Sequence, residues 1–305
     1  MKEKILRNNL YIGLLVLITS EILLIKNIPF MKTWFFCFAW WSFITIVDSL
    51  NFRKRGHSPL SDSPKGFLFT AFISVFVWLI FELFNLRLKN WTYHELPHSF
   101  WKRWLGFFIS FASVIPAIQE LALFFESFLK KVRKFIPFQV KVTNRLLSGF
   151  IVLGVFSILL PLSWPKIFFP LVWICFILVL EPINYWLENE TFLRELEGKR
   201  WTKILSWLLA GCTAGIFWEL WNFCAESHWQ YSLPFLNFWK VFQMPVIGYT
   251  GFLPFALEIF ALYQFIYWLN KKFKGKIVLK SLAFIFLLLF YATSFYLIDM
   301  FTLVR

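Results

Sequence analysis

Apolar runs long enough to cross a bilayer follow one another along this chain, at about residues 9 to 27, 33 to 52, 66 to 86, 101 to 129, 144 to 163, 166 to 187, 203 to 225, 248 to 270 and 277 to 300. Crossing about 30 Å of hydrocarbon takes roughly 20 residues of α-helix, because each residue advances the chain about 1.5 Å. Backbone in lipid must also satisfy its own hydrogen bonds, which leaves helices or a closed barrel, and runs of this length specify helices. The sequence therefore predicts an all-α, polytopic transmembrane bundle of about nine helices. With 59% hydrophobic and only 16% charged residues, an ordinary water-soluble domain is excluded.

The same polar and aromatic vocabulary occurs twice. Asp48, Asn51 and Phe52 return as Glu181, Asn184 and Tyr185, and Phe81, Glu82 and Asn85 return as Trp218, Glu219 and Asn222. Trp91 and Tyr93 return as Trp229 and Tyr231, and Pro116 with Glu120 returns as Pro254 with Glu258. The first helices agree as well, Gly13 with Gly149 and Pro29 with Pro165. The pattern predicts two four-helix repeats, residues 1–135 and 136–276, joined by the basic stretch Lys130 to Lys141, with an additional C-terminal helix in 277–305. Each copy crosses the membrane an even number of times, so the repeats are parallel, and their equivalent faces are expected to meet around an axis along the membrane normal.

The net charge of +14 raises the possibility of nucleic acid, but the Lys and Arg residues sit in short connections between apolar runs, which is how membrane proteins set their orientation. Arg53 to Arg55, Lys130 to Lys134 and Lys271 to Lys276 place the N-terminus in the cytoplasm and the C-terminus outside, in a multi-pass protein expected in a prokaryotic inner or plasma membrane. No nucleic-acid partner is expected. The first run carries Glu21 and lacks a small-residue cleavage site, so it reads as a retained helix. Cys37, Cys175, Cys212 and Cys224 form no Cys-x-x-Cys pair and read as buried packing residues. His94 and His98 have helical ligand spacing, but Pro97 disfavours a regular helix there, and neither metal nor cofactor is expected.

Carboxylates are the residues with chemical potential. Glu21, Asp48, Glu82, Glu120, Glu181, Glu219, Glu258 and Asp299 fall within the runs, whereas no Lys or Arg lies deep in one. An ionised carboxylate at mid-bilayer costs about 2.5–3.5 kcal/mol on insertion scales, so such groups should face the bundle interior and hold protons or hydrogen bonds. Glu82 with Asn85, Glu219 with Asn222, Asp48 with Asn51 and Glu181 with Asn184 are each three residues apart and share a helix face. The expected picture is an outer-half cluster in each repeat: Glu82, Glu120, Asn85, Trp91 and Tyr93 in the first, and Glu219, Glu258, Asn222, Trp229 and Tyr231 in the second. Trp218 and Tyr249 join the second pocket. Asp48 and Glu181 lie beside basic loops and read as structural ion-pairing residues, forming with Asn51 and Asn184 the structural polar pairs of the two repeats.

Rival readings exist for each feature. Carboxyl–amide pairs can simply lock helices at about 0.6 kcal/mol per hydrogen bond, and Trp and Tyr at a helix end form interfacial belts. Gly211 and Gly215 give a small-residue surface for close helix approach. Met244 to Pro254, with two glycines and two prolines, reads either as an interfacial loop or as a re-entrant opening to a binding site.

The chain also carries 42 Phe and 17 Trp. An acid-lined pocket walled by such rings can protonate an alkene and hold the resulting cation against their π-faces. The order of an acid on a helix, then Trp-x-Tyr, then Pro, Glu and a ring-rich tail (Ile115 to Phe125, and Leu253 to Tyr263) resembles the integral-membrane lycopene cyclases and related carotenoid hydratases. That resemblance implies a two-repeat helical bundle with Glu120 or Glu258 as the acid, although Gln119 and Leu257 stand where the family has a second glutamate.

The first functional expectation is a membrane enzyme acting on a lipid-soluble, isoprenoid or carotenoid-like substrate, such as a cyclase, isomerase or hydratase. Glu219 and Glu258, or Glu82 and Glu120, would be its acid and base. The alternatives are a proton-coupled transporter and a non-catalytic membrane subunit or assembly factor. The partners expected are membrane lipid and a lipid-soluble small molecule, with oligomerisation open.

Overall fold

The computed structural model describes residues 2–129, 139–235 and 238–304, with side chains from Asn8 onward. Among these residues, nine helical segments are long and apolar enough to cross a membrane, so the chain is a multi-pass bundle of the all-α class with only short strands between helices. The boundary expected near residue 135 and the basic residues Lys130 to Lys134 lie outside the described residues.

Helix α1 (Lys2–Ile25) is followed by α2 (Pro29–Arg55), which starts on Pro29, whose missing N–H costs nothing in a first turn, and ends on Gly56 in the left-handed conformation. The short α3 (Pro59–Asp62) leads into α4 (Pro64–Leu88), capped by the Ser63 hydroxyl accepting from the amide of Gly66. Strand β1 (Trp91–His94) follows.

The run from 101 to 129, read from the sequence as one span, divides into α5 (Phe100–Phe111) and α6 (Val114–Leu129). Pro116 explains the break, since it has no N–H for the carbonyl of Ala112. Ser74 of α4 bridges the gap, its hydroxyl donating to the Phe111 carbonyl at 2.5 Å and accepting from the Ile115 amide at 3.0 Å.

The second half opens with α7 (Asn144–Ser163). The sixth run is also broken: α8 (Pro165–Phe168), a 3-10 turn at Phe169–Trp173 containing Pro170, then α9 (Cys175–Trp186). A short α10 (Phe192–Glu197) precedes α11 (Thr202–Cys224) and strand β2 (His228–Tyr231). The small hairpin of β3 (Lys240–Val241) and β4 (Met244–Pro245) then passes through a 3-10 segment, Val246–Gly251, straight into α12 (Phe252–Lys272). The last helix is α13 (Ile277–Phe301).

Helices α6 and α11 pack on each other at the centre, α11 also packs on α12, and α1 lies along α2. Gly211 and Gly215 provide the close approach expected of them, because a Cβ at either position would collide with the carbonyl or the ring of Phe252. Leu15 of α1, Leu153 of α7 and Leu289 of α13 are exposed, as peripheral helices in hydrocarbon require. α13, which has no counterpart in the expected repeats, packs against α4. Indoles fill the core: Trp40 meets Trp221 edge-on with centroids 4.9 Å apart, and Trp78 lies 5.0 Å from Trp218. Such pairs contribute about 0.5–1.5 kcal/mol each beyond their buried area.

Candidate functional site

The two Trp-x-Tyr segments, far apart in sequence, form one antiparallel ribbon in which Trp91 faces Tyr231, Tyr93 faces Trp229 and His94 faces His228. Asparagines fix its backbone. Asn85 donates to the Trp91 carbonyl at 2.8 Å and accepts from the amides of Asn90 and Trp91, while Asn222 donates to the carbonyl and accepts from the amide of Trp229, both at 2.9 Å. The amides expected to orient carboxyl groups therefore clamp the strands instead, because an Asn side chain can satisfy a carbonyl and an amide together. On one edge, Leu303 bridges Tyr93 in parallel: the Tyr93 amide donates to Thr302 and its carbonyl accepts from Val304.

Each ribbon tyrosine reaches back to the acid on its own helix. Tyr93 donates to Glu82 at 2.5 Å, and Tyr231 donates to Glu219 at 2.8 Å. Burial, reinforced by the neighbouring carboxyl, holds both phenols well above the usual tyrosine range, so they stay protonated donors.

The two acids differ in everything else. Glu82 also accepts from the indoles of Trp78 at 2.9 Å and Trp91 at 3.1 Å, so both its oxygens are engaged. Trp78 precedes Glu82 by one turn, and the corresponding residue before Glu219 is Gly215, whose space Phe252 occupies. Glu219 consequently has only Tyr231 as a described donor, and its Oε2 is buried without a partner.

The remaining carboxylates lie elsewhere, so the expected clustering of Glu120 with Glu82 and of Glu258 with Glu219 does not form. Glu120 accepts from the Asn51 side chain at 2.7 Å. Glu258 accepts from the amide of Phe176 at 2.7 Å, Asp48 from that of Leu60 at 2.9 Å and Glu181 from that of Leu193 at 3.1 Å. In all three cases the donor is the second residue of a helix (α9, α3 and α10), where the N–H has no partner in its own helix and the helix dipole favours an acceptor. Asp48 and Glu181 are thus helix caps and not the ion pairs expected, and Asn184 donates to the Ala261 carbonyl at 2.8 Å. Tyr249 donates to the Val241 carbonyl at 3.0 Å, tying the 3-10 segment to β3 rather than walling the site.

Two further corrections concern charge and thiols. Arg103, in the fourth span, is buried and grips Asp299 with two bonds, 2.9 and 2.6 Å, so Asp299 has the cationic partner that the sequence did not reveal. Cys224 is exposed at the end of α11, and the expectation of buried packing holds for Cys37 and Cys175.

A chamber of about 90 Å3 lies against the ribbon, walled by Trp78, Trp91, Tyr93, Trp173, Trp218, Trp229 and Tyr231. Trp78 and Trp173 were not singled out from the sequence; the helical spacing of Trp78 to Glu82 was the available signal, and Trp173 had none. Beyond Thr33, Trp34, Lys102 and Arg103 the chamber adjoins a polar vestibule of about 780 Å3. Across Trp78, Trp91, Trp173, Trp218 and Tyr231 it adjoins an apolar cavity of about 440 Å3 under the 3-10 segment. Among the described residues no group of three His, Cys, Asp or Glu side chains could hold a metal, and His94 stacks on His228 at 5.7 Å rather than pairing with His98. Comparison of the chain with protein-family models, with curated proteins and with solved structures finds no match.

Proposed function

We propose that this protein is an integral membrane enzyme performing acid–base chemistry on an unsaturated, lipid-soluble substrate of isoprenoid or carotenoid type, with Glu219 and Tyr231 as its proton-transferring pair. One observation carries the reading: Glu219 keeps an unpartnered, fully buried oxygen while its only described donor, Tyr231, forms part of the wall of both cavities. Glu120, Glu181 and Glu258 also keep one buried oxygen without a described partner, at a cost of about 1–3 kcal/mol each, but of these acids only Glu219 has a described donor that walls the cavities, and both oxygens of Glu82 are filled.

The chemistry balances within the site. With Glu219 protonated on Oε1 and the Tyr231 hydroxyl turned toward the substrate, the phenol gives its proton to an alkene carbon as it takes the carboxyl proton across the Tyr231–Oε1 contact, leaving Glu219 as the carboxylate. A C–H bond forms, the π bond supplies its electrons, and a carbocation is left facing the indoles of Trp78, Trp91, Trp173 and Trp218. Loss of a proton from a neighbouring carbon returns it through Tyr231 to Glu219. The net result is an isomerisation or cyclisation with no external oxidant or reductant.

The resemblance to lycopene cyclases motivates the substrate class but not the identity of the acid, since Glu120 and Glu258 bond to Asn51 and to the start of α9, and neither they nor these partners line the chamber or the cavity beside it. The enzyme reading is favoured over transport because the polar cavity lined by Gln119, Glu126, Lys203 and Tyr263 shares no residue with the chamber. The test is lipid extraction from membranes containing the wild type, Glu219→Gln or Tyr231→Phe, followed by mass spectrometry. A lipid that accumulates in both variants and not in the wild type is the expected result; identical profiles overturn the proposal.

A further inference from the structure

The cavity under Val246–Gly251 has the shape and chemistry of a site in its own right. Its volume of about 440 Å3 lies within the roughly 300–1,000 Å3 of small-molecule sites. The lining includes Phe169, Leu171, Leu233, Met244, Ile247 and Phe252 and, among the described residues, no Asp, Glu, Lys, Arg or His. A charged headgroup would find no partner in it, whereas a hydrocarbon would be at home. Ile247 in its wall is apolar and about half exposed, near the start of a membrane span, so the mouth faces the bilayer.

Broken backbone makes the space. Pro170 interrupts the sixth span and Pro245 precedes the eighth, while Gly248 has no room for a Cβ beside the Met244 sulfur. Non-helical backbone at membrane depth is tolerated where it lines a cavity or is buried in protein. The inner wall consists of Trp78, Trp91, Trp173, Trp218 and Tyr231, the residues shared with the chamber.

We propose that this cavity seats one hydrocarbon chain of a membrane lipid, entering laterally past Ile247 and ending against the indole wall at Tyr231. The chain's reaction at Tyr231 rests on the functional reading above; its seating does not.

The experiment uses the full-length protein in lipid nanodiscs with a fatty acid carrying a diazirine at mid-chain. After illumination, peptides are mapped by mass spectrometry for wild type, Gly248→Trp and Ile247→Trp. Adducts are expected on 169–174 and 244–255, falling about tenfold in the filled variants, while adducts on lipid-facing Ile285 and Leu289 of α13 persist. If Gly248→Trp fails to fold, Ile247→Trp at the exposed rim carries the test. Adducts confined to α13, or undiminished in the filled variants, overturn the seat. Glu219→Gln keeps its adducts on the expected reading. Lost seating with a Glu219-dependent lipid profile would sink this inference alone, and intact seating with unchanged lipid profiles would sink the chemistry alone.

Discussion

Tyr231 occupies one oxygen of Glu219 at 2.8 Å and leaves the other bare, whereas Tyr93 shares Glu82 with two indoles. The same residue pair thus exists in a strapped and an unstrapped form. Glu82→Ala strands three donors, on buried Trp91 and Tyr93 and half-buried Trp78, at up to about 1–3 kcal/mol each, and Glu219→Ala strands one. Thermal unfolding in detergent should show the Glu82 variant losing clearly more stability; equal losses would contradict the asymmetry.

Arg103 and Asp299, 8% and 9% exposed, join α5 to α13 beside the ribbon. Removing one partner leaves a buried charge, so Arg103→Leu or Asp299→Leu should each cost about 3–5 kcal/mol. The double substitution should recover a large part of that loss, since two apolar residues leave no charge behind. Additive losses in the double mutant would show that the pair is not what holds these helices.

His94 and His228 stack across the ribbon, 5.7 Å apart. Burial, then the charge of His228, lowers the His94 pKa below its usual 6.5, while Glu95 opposes the shift; near His228, Glu226 is paired with Lys32. The unfolded chain therefore binds the proton first as pH falls, so stability is full above about 6.5 and declines below it through the folded-state value. Melting followed by tryptophan fluorescence should fall about 1–2 °C more between pH 7.5 and 5 in the wild type than in His228→Gln. A steeper decline in the variant would refute the coupling.

Gly215 stands one turn before Glu219, with the Phe252 ring filling its Cβ position. Gly215→Val should force α11 and α12 apart and cost about 1–3 kcal/mol by overpacking. Gly149, with open space around it, should accept Ala without penalty beyond helix propensity, which favours Ala. Comparable destabilisation at both sites would argue against the packing shown here.

The recurring clamp, Asn85 on Trp91 and Asn222 on Trp229, explains why the paired motifs were legible as motifs but not in their roles. Spacing of three residues placed Glu and Asn on one helix face, which is local geometry; that the Asn would turn to the strand and the Glu to a tyrosine depends on where the chain returns. Likewise Trp78 was within reach of sequence reasoning at one helical turn from Glu82, while Trp173 enters the wall only because Pro170 and Glu258 set the start of α9.

By itself the sequence determined the class, a bundle of membrane-spanning helices, because hydropathy over some twenty residues is a local property set against a fixed bilayer thickness. It also determined which residues would be expensive to bury. Only the tertiary structure decided which partner each met: Asp48, Glu181 and Glu258 met the first turns of helices, Asp299 met Arg103, Glu82 met three ring donors, and Glu219 met, among the described residues, Tyr231. Apart from Trp78, one helical turn before Glu82, those partners come from beyond the acid's own helix, Arg103 from across most of the chain, and a hydrogen bond acts over about 3 Å, so helical spacing did not specify them.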